Sequence, residues 1–191
     1  MMKKKHTHIL TAAESLFNRF GIRKTGVDEI AKTARVAKGT IYNYFGNKEG
    51  ILRELIQSKI HGFEKTVQGS FETISDPIEQ MKIVIMERLK LFLHNPFIAD
   101  NTLQLDEDSS RLLEQDLDKK EDQYLSTIIS EVRKKNTIPG DDRQVINTVL
   151  FAIKGIEQSI KNGFDAISLD RIENDIEYLV NLIFQDKTKG I

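Results

Sequence analysis

The chain has 191 residues, 28 Lys and Arg against 29 Asp and Glu, a formal net charge of −1 and no cysteine. That length holds a small domain beside a larger one, the lack of thiols excludes disulfides and thiolate chemistry, and no apolar run is long enough to predict a membrane helix. The near-neutral total hides an asymmetry: residues 1–48 carry ten basic against three acidic residues, and residues 49–191 carry eighteen against twenty-six, so positive potential is concentrated in the N-terminal quarter, where phosphates would be attracted.

Lys3 to Lys5 lead into Ile9, Ala13, Leu16/Phe17 and Phe20, a three-to-four spacing that predicts an amphipathic first helix and not a signal-peptide core. A cytoplasmic location is the expectation. Val27, Ile30, Ala31 and Ala34 form the stripe of a short second helix, with Thr25 and Asp28 as a capping pair. A turn at Arg35 to Ala37 precedes a third helix in which Ile41 and Phe45 point inward. Gly39, Thr40, Tyr42 and Asn43 are left on the outward arc, the surface that a helix-turn-helix presents to a DNA major groove. Asn47 is placed to cap a long fourth helix through Ile51, Leu52, Leu55 and Ile56 toward Phe63 and Val67, linking two domains.

Three segments carry a family resemblance: A-A-x-x-L-F-x-x-x-G at Ala12 to Gly21, I-A-x-x-A at Ile30 to Ala34, and K-G-T-I-Y-N-Y-F-x-N-K-E at Lys38 to Glu49. In this order they resemble the TetR (tetracycline repressor-like) family of bacterial transcriptional regulators, over roughly the first quarter of the chain. Arg35 stands at a turn position commonly Gly, Ala37 at a helix start often Ser, and Tyr44 where His is frequent. The resemblance implies a homodimer on a palindromic operator in double-stranded DNA. Lys38 and Lys48 would meet phosphates; Thr40, Tyr42, Asn43 and Tyr44 would be shared between base edges and backbone; Gly39 would allow close main-chain approach; and Thr25 would give its hydroxyl or N–H to a phosphate. Tyr42 and Tyr44 can alternatively pack against the first helix. The implied mechanism is repression relieved when a small-molecule effector binds the C-terminal domain, whose lining residues the sequence does not assign.

Beyond residue 67, Asp76-Pro77-Ile78-Glu79 marks a helix start. The helix it opens is apolar on most sides from Met81 to Leu93, and His94-Asn95-Pro96 ends it. Phe71, Met81, Met86, Phe92 and Phe97 read as core, with a pocket lining as the sharper alternative. Asp106 to Gln123 is acidic and polar, most simply a solvated face, before Tyr124, Leu125, Ile128, Ile129 and Val132 restore a stripe that runs to the Pro139-Gly140 break. Val145, Val149, Ala152/Ile153, Ile156 and Ile160 predict a helix from about Asp142 to Asn162 with Gly163 as its stop. Leu169, Ile172, Ile176, Leu179/Val180 and Ile183 predict another from Ser168 to about Asp186. Two such helices pair with their copies across a two-fold axis as a four-helix bundle, with Gly155 and Ser159 permitting close approach.

Among the four histidines only His6-x-His8, at an end expected to fray, has a suggestive metal spacing. No glycine-rich phosphate loop, nucleophile elbow or H-E-x-x-H occurs. The reading is therefore an all-α non-enzyme without metal or cofactor, with a three-helix DNA-binding domain at 1–48 and a helical effector-binding and dimerisation domain at 49–191. The alternative is a DNA-bound structural or cell-division effector that recruits a protein partner.

Overall fold

The computed structural model describes residues 2–101, 107–135, 138, 140–161 and 169–184, with side-chain detail for 4–98, 117–134, 138, 140–159 and 170–184. Among the described residues all regular structure is helical: α1 (Met2–Phe20), α2 (Val27–Ala34), α3 (Lys38–Phe45), α4 (Lys48–Thr73), α5 (Pro77–Leu93), α6 (Pro96–Asn101), α7 (Glu107–Lys135), α8 (Asp142–Lys161) and α9 (Leu169–Phe184). Two compact units result, Met1–His61 with Asn95–Glu114 and Gly62–His94 with Gln115–Ile191. The division falls inside α4, between α5 and α6, and inside α7.

In the first unit α1 packs on α2, and α2 on α3. The apolar stripes meet as their spacing requires: Ile9, Ala13 and Phe17 of α1, Ile30 and Ala31 of α2, Ile41 of α3 and Ile51, Leu52 and Leu55 of α4 are buried. Burying each large aliphatic or aromatic side chain contributes about 1.5–3 kcal/mol. Phe20, expected on the inner stripe, is instead exposed with the Arg19 guanidinium 5.0 Å from its ring centroid. α1 stops there because Gly21 turns the chain at φ 78°. Asn47 caps α4 as expected, its side-chain oxygen accepting the Gly50 N–H at 2.8 Å. The sequence signals at His94 to Pro96 do end α5, but Pro96 also opens α6 at once, since proline suits a first helical position. Phe97 of α6 packs 6.1 Å from Phe17, so it belongs to this unit and not with the apolar residues of α5.

In the second unit α5 packs on α8 and α9. The Asp76 carboxylate accepts the Ile78 N–H at 3.0 Å, and Pro77 fills the first helical position. Met81, Val84, Ile85 and Leu89 of α5 meet a core completed by Val145, Val149 and Ile153 of α8 and Ile172, Ile176 and Val180 of α9. The acidic stretch of α7 is not wholly a solvated face: Leu117 and Glu121 are buried, because their one-turn spacing continues the inward stripe of Leu125, Ile128 and Val132. Pro139, Gly163 and Ser168, expected at helix boundaries, lie outside the described residues.

Candidate nucleic-acid interface

Helix α2 begins with Gly26 at its N-cap, whose N–H donates to the Glu29 carboxylate at 3.0 Å. The expected Thr25–Asp28 capping pair does not form. Thr25 is only 1% exposed; its hydroxyl donates to the Gly21 carbonyl at 2.8 Å and its N–H to the Ile22 carbonyl at 3.3 Å. Both groups expected to reach a phosphate are engaged in closing the loop between α1 and α2. At the other end of α2, Arg35 adopts φ 55° and ψ 46°, among the described residues the one non-glycine at positive φ. The turn keeps a left-handed geometry despite a side-chain cost of about 1–2 kcal/mol, because the Arg35 N–H reaches Lys32 O at 3.2 Å and the Val36 N–H reaches Ala31 O at 3.0 Å, satisfying the last carbonyls of α2. Ala37 is the N-cap of α3 and supplies no side-chain cap.

Among the arc residues, Lys38 is exposed, its ammonium 2.9 and 3.0 Å from the two Asp28 carboxylate oxygens. That hydrogen bond, and next the carboxylate charge, raise the lysine pKa above its ordinary value. Gly39 is exposed with no atom near the place of a Cβ, so packing within the chain does not demand glycine there. Asn43 and Tyr42 face outward, Tyr42 46% exposed, while Thr40 is half-buried. Tyr44 is turned toward α1: its ring stands edge-on to His6 at 5.6 Å and 72°. The packing alternative therefore describes Tyr44 and not Tyr42. Lys48 is half-buried, and its ammonium donates to Ile22 O at 2.9 Å and Thr25 O at 3.3 Å, tying the α1–α2 loop to the start of α4. A lysine has three such hydrogens, so this tie leaves one for an outside acceptor.

His6, expected at a frayed end, lies inside α1 and is fixed on three sides. Its ring stacks on Phe45 at 4.9 Å and 26°, meets Tyr44 edge-on, and its Nε2 is 2.7 Å from a Glu54 oxygen of α4. The signal was present in the sequence, since His6 stands three residues before Ile9 and so shares its helical face.

The sequence pattern of the bacterial regulatory proteins, tetR family, matches residues 9–55, the segment that builds this helix-turn-helix. Residues 9–55 carry the TetR-family DNA-binding pattern. The fatty acid metabolism regulator protein of Bacillus subtilis (strain 168) is 34% identical over 87 residues, covering 46% of this chain and 45% of that protein. In general the chain spans about a third to a half of the length of the curated relatives it matches. The solved structure of the regulator FadR from Bacillus subtilis in complex with stearoyl-CoA superposes with a TM-score of 0.72 at 24% identity, covering 91% of this chain and 96% of that one. AibR in complex with isovaleryl coenzyme A and operator DNA superposes at 0.69 and 19%, covering 95% and 99%. These likenesses show a shared helical fold over most of the chain.

The second unit contains one group that sequence reasoning missed. Arg88, inside the apolar run of α5, is buried with its Nε donating to Glu157 of α8 at 2.8 Å. Glu121 of α7, 1% exposed, has an oxygen 3.7 Å from the same nitrogen, and Asp118 lies 3.7 Å from Arg88 Nη2. The Arg88 guanidinium also sits 4.7 Å from the centroid of Phe92. Arg88 Nη1 and Glu121 Oε1 are buried without a hydrogen-bond partner. Burial foremost, then the Glu157 and Asp118 charges, push the Glu121 carboxyl up to about 7 against the opposing pull of Arg88 and Lys154. Beside the cluster runs an open groove of about 410 Å³ between α7 and α8, lined in part by Asp118, Lys154, Leu150 and Phe151. The available signal was the lone guanidinium in the stretch Met81 to Leu93, where only a paired charge is tolerated.

Proposed function

We propose that this protein is a ligand-responsive transcriptional regulator that binds a palindromic operator as a homodimer, with residues 1–48 reading DNA and residues 49–191 carrying effector binding and dimerisation. The observation that carries the reading is the outward face of α3: Lys38, Gly39, Tyr42 and Asn43 are exposed on the helix that follows the tight turn, in a segment carrying seven net positive charges. Lys38 and the free hydrogen of Lys48 serve phosphates, while Thr40, Tyr42 and Asn43 serve base edges and backbone. One eight-residue helix reads too few bases to specify a site, so two heads on a two-fold axis are required.

The dimer contact is assigned to α8 and α9. Phe151 of α8 is 73% exposed, and Tyr178 and Leu182, one turn apart on α9, are 72% and 59% exposed. Apolar side chains so open on helices whose other faces are already buried support a partner surface.

Effector binding in the second unit shifts α4 and releases the operator, which makes the protein a repressor. That requires differential affinity for two conformations, of the order of 1–3 kcal/mol of coupling. The proposed effector class is an acyl-coenzyme A thioester, supported by the complexes that FadR and AibR form with stearoyl-CoA and isovaleryl coenzyme A. The protein works in the cytoplasm and catalyses no reaction; among the described residues no helix is long and apolar enough to cross a membrane.

Selection of bound sequences from a random DNA pool at two salt concentrations tests the regulator, with an enriched inverted repeat as the expected result. Failure to enrich any sequence would reject it. Thermal unfolding with a panel of acyl-CoA chain lengths tests the effector class: a saturable rise in melting temperature for one range of chain lengths is expected, since a ligand that binds only the folded state raises its stability.

A further inference from the structure

Helix α3 has eight residues, too few to hold its shape alone. Ile41 is its one buried residue, placed at mid-helix, and α3 ends at Gly46 with φ 74°. Apart from that central anchor and the close approach of Gly50 to the Phe45 carbonyl at its end, the direction in which Tyr42 and Asn43 point depends on what grips the side chains of the last turn. Two side chains of that turn, Tyr44 and Phe45, lie against one imidazole. His6 stacks on Phe45 at 4.9 Å and closes on Tyr44 edge-on at 5.6 Å. The imidazole is itself oriented: its Nε2 is 2.7 Å from Glu54 of α4, and an ionised carboxylate only accepts, so Nε2 carries the hydrogen that is donated. One side chain thus couples α1, α3 and α4, and it does so on the side of α3 opposite the exposed residues.

We propose that His6 is a positioning residue for DNA recognition, setting the angle at which α3 enters the groove through its grip on Tyr44 and Phe45 while touching no nucleotide itself. This rests on the regulator reading above. Glu54 keeps the ring face against Phe45; Phe45 in turn sets the C-terminal turn from which Asn43 projects.

The test uses the full chain with His6→Ala, His6→Phe and wild type. Amide hydrogen exchange of residues 42–45 is measured without DNA, and operator affinity is measured at several salt concentrations. His6→Ala is expected to speed exchange at Tyr44 and Phe45 and to weaken operator binding roughly three- to tenfold, the worth of one aromatic pair. Nonspecific binding and the slope of log affinity against log salt are unchanged, because no phosphate contact is lost. His6→Phe, which keeps a stacked ring, recovers most of the operator affinity. A salt slope that falls by about one in His6→Ala would make His6 a phosphate ligand and overturn the proposal, as would operator affinity within twofold of wild type or a His6→Phe protein as weak as His6→Ala. Should the wild type select no DNA sequence, the regulator reading fails on its own; unchanged exchange at Tyr44 and Phe45 would still overturn the grip on α3.

Discussion

Gly50 of α4 faces the carbonyl of Phe45 so closely that a Cβ there would overlap the oxygen and stand 3.0 Å from the carbonyl carbon. The end of α3 and the first turn of α4 therefore touch through main chain, and neither can yield by a rotamer change. Gly50→Ala is expected to destabilise the protein by roughly 1–3 kcal/mol, as overpacking does, and to displace the end of α3. Gly39, with open space around its absent Cβ, provides the contrast. Gly39→Ala should leave stability unchanged or raise it by up to about 1 kcal/mol, alanine being the better helix former, while weakening operator binding by filling the exposed arc. Thermal unfolding of both variants checks this; equal melting temperatures for Gly50→Ala and wild type would remove the packing argument.

The two lysines flanking α3 part company in the same experiment. Lys38 is exposed and held only by Asp28, an exposed pair of little weight in stability. Lys38→Ala should flatten the salt dependence of operator binding by about one unit of slope at unchanged melting temperature. Lys48 donates to the carbonyls of Ile22 and Thr25. Removing a charged donor from two loop carbonyls is expected to cost roughly 1–3 kcal/mol, so Lys48→Ala should lower the melting temperature as well as affinity. A Lys48→Ala protein as stable as wild type would show that the tie carries no load.

The helix-turn-helix was legible because its determinants are local. Residue spacing and turn chemistry placed α2, α3 and the caps at Asn47 and Asp76, and the family resemblance marked Arg35 and Ala37 as unusual at their positions. What escaped the sequence was long-range pairing. Thr25 had the look of a cap or phosphate ligand until Gly21 and Ile22 were brought beside it. The contact of His6 with Phe45, thirty-nine positions on, is seen only once the helices are brought together. Glu121 read as one more solvated acid until Arg88 and Glu157 closed around it. A charge run fixes polarity but not which member faces inward, and that choice is made by the inner stripe of α7.

The apolar face of α8 and α9 gives a test of assembly. Tyr178 and Leu182 project on one side of α9 while Ile172, Ile176 and Val180 are buried on the other, so charge on the exposed pair disturbs association and not the core. Tyr178→Asp with Leu182→Asp is expected to convert a dimer into a folded monomer by sedimentation or light scattering. Operator affinity then falls by at least a hundredfold, since linked binding of two heads exceeds either alone by about that factor or more. A double variant that remains dimeric would place the interface elsewhere.

Glu121 sets a pH dependence whose sign follows from its surroundings. In the unfolded chain its carboxyl ionises near the ordinary value of 4.5; in the folded protein burial and the Glu157 and Asp118 charges hold the proton on until about pH 7. Below pH 4.5 both states are protonated and no penalty exists. Between about 4.5 and 7 the folded state binds more protons than the unfolded one, so stability falls as pH rises. Above 7 the loss levels off, at a size of the order of 3 kcal/mol from a shift of this extent. Glu121→Gln, which keeps the shape and cannot ionise, should remove this contribution and make the protein more stable than wild type at pH 8, with the two converging toward pH 4.5. The Glu157 carboxylate, bonded directly to Arg88, behaves in the opposite sense on truncation: Glu157→Ala leaves the guanidinium without its 2.8 Å partner and is expected to destabilise by roughly 3–5 kcal/mol. Denaturant titrations from pH 4.5 to 8 on the three proteins decide the matter. A Glu121→Gln curve parallel to wild type across that range would mean that Glu121 is ionised in the folded state and that Arg88 outweighs its burial.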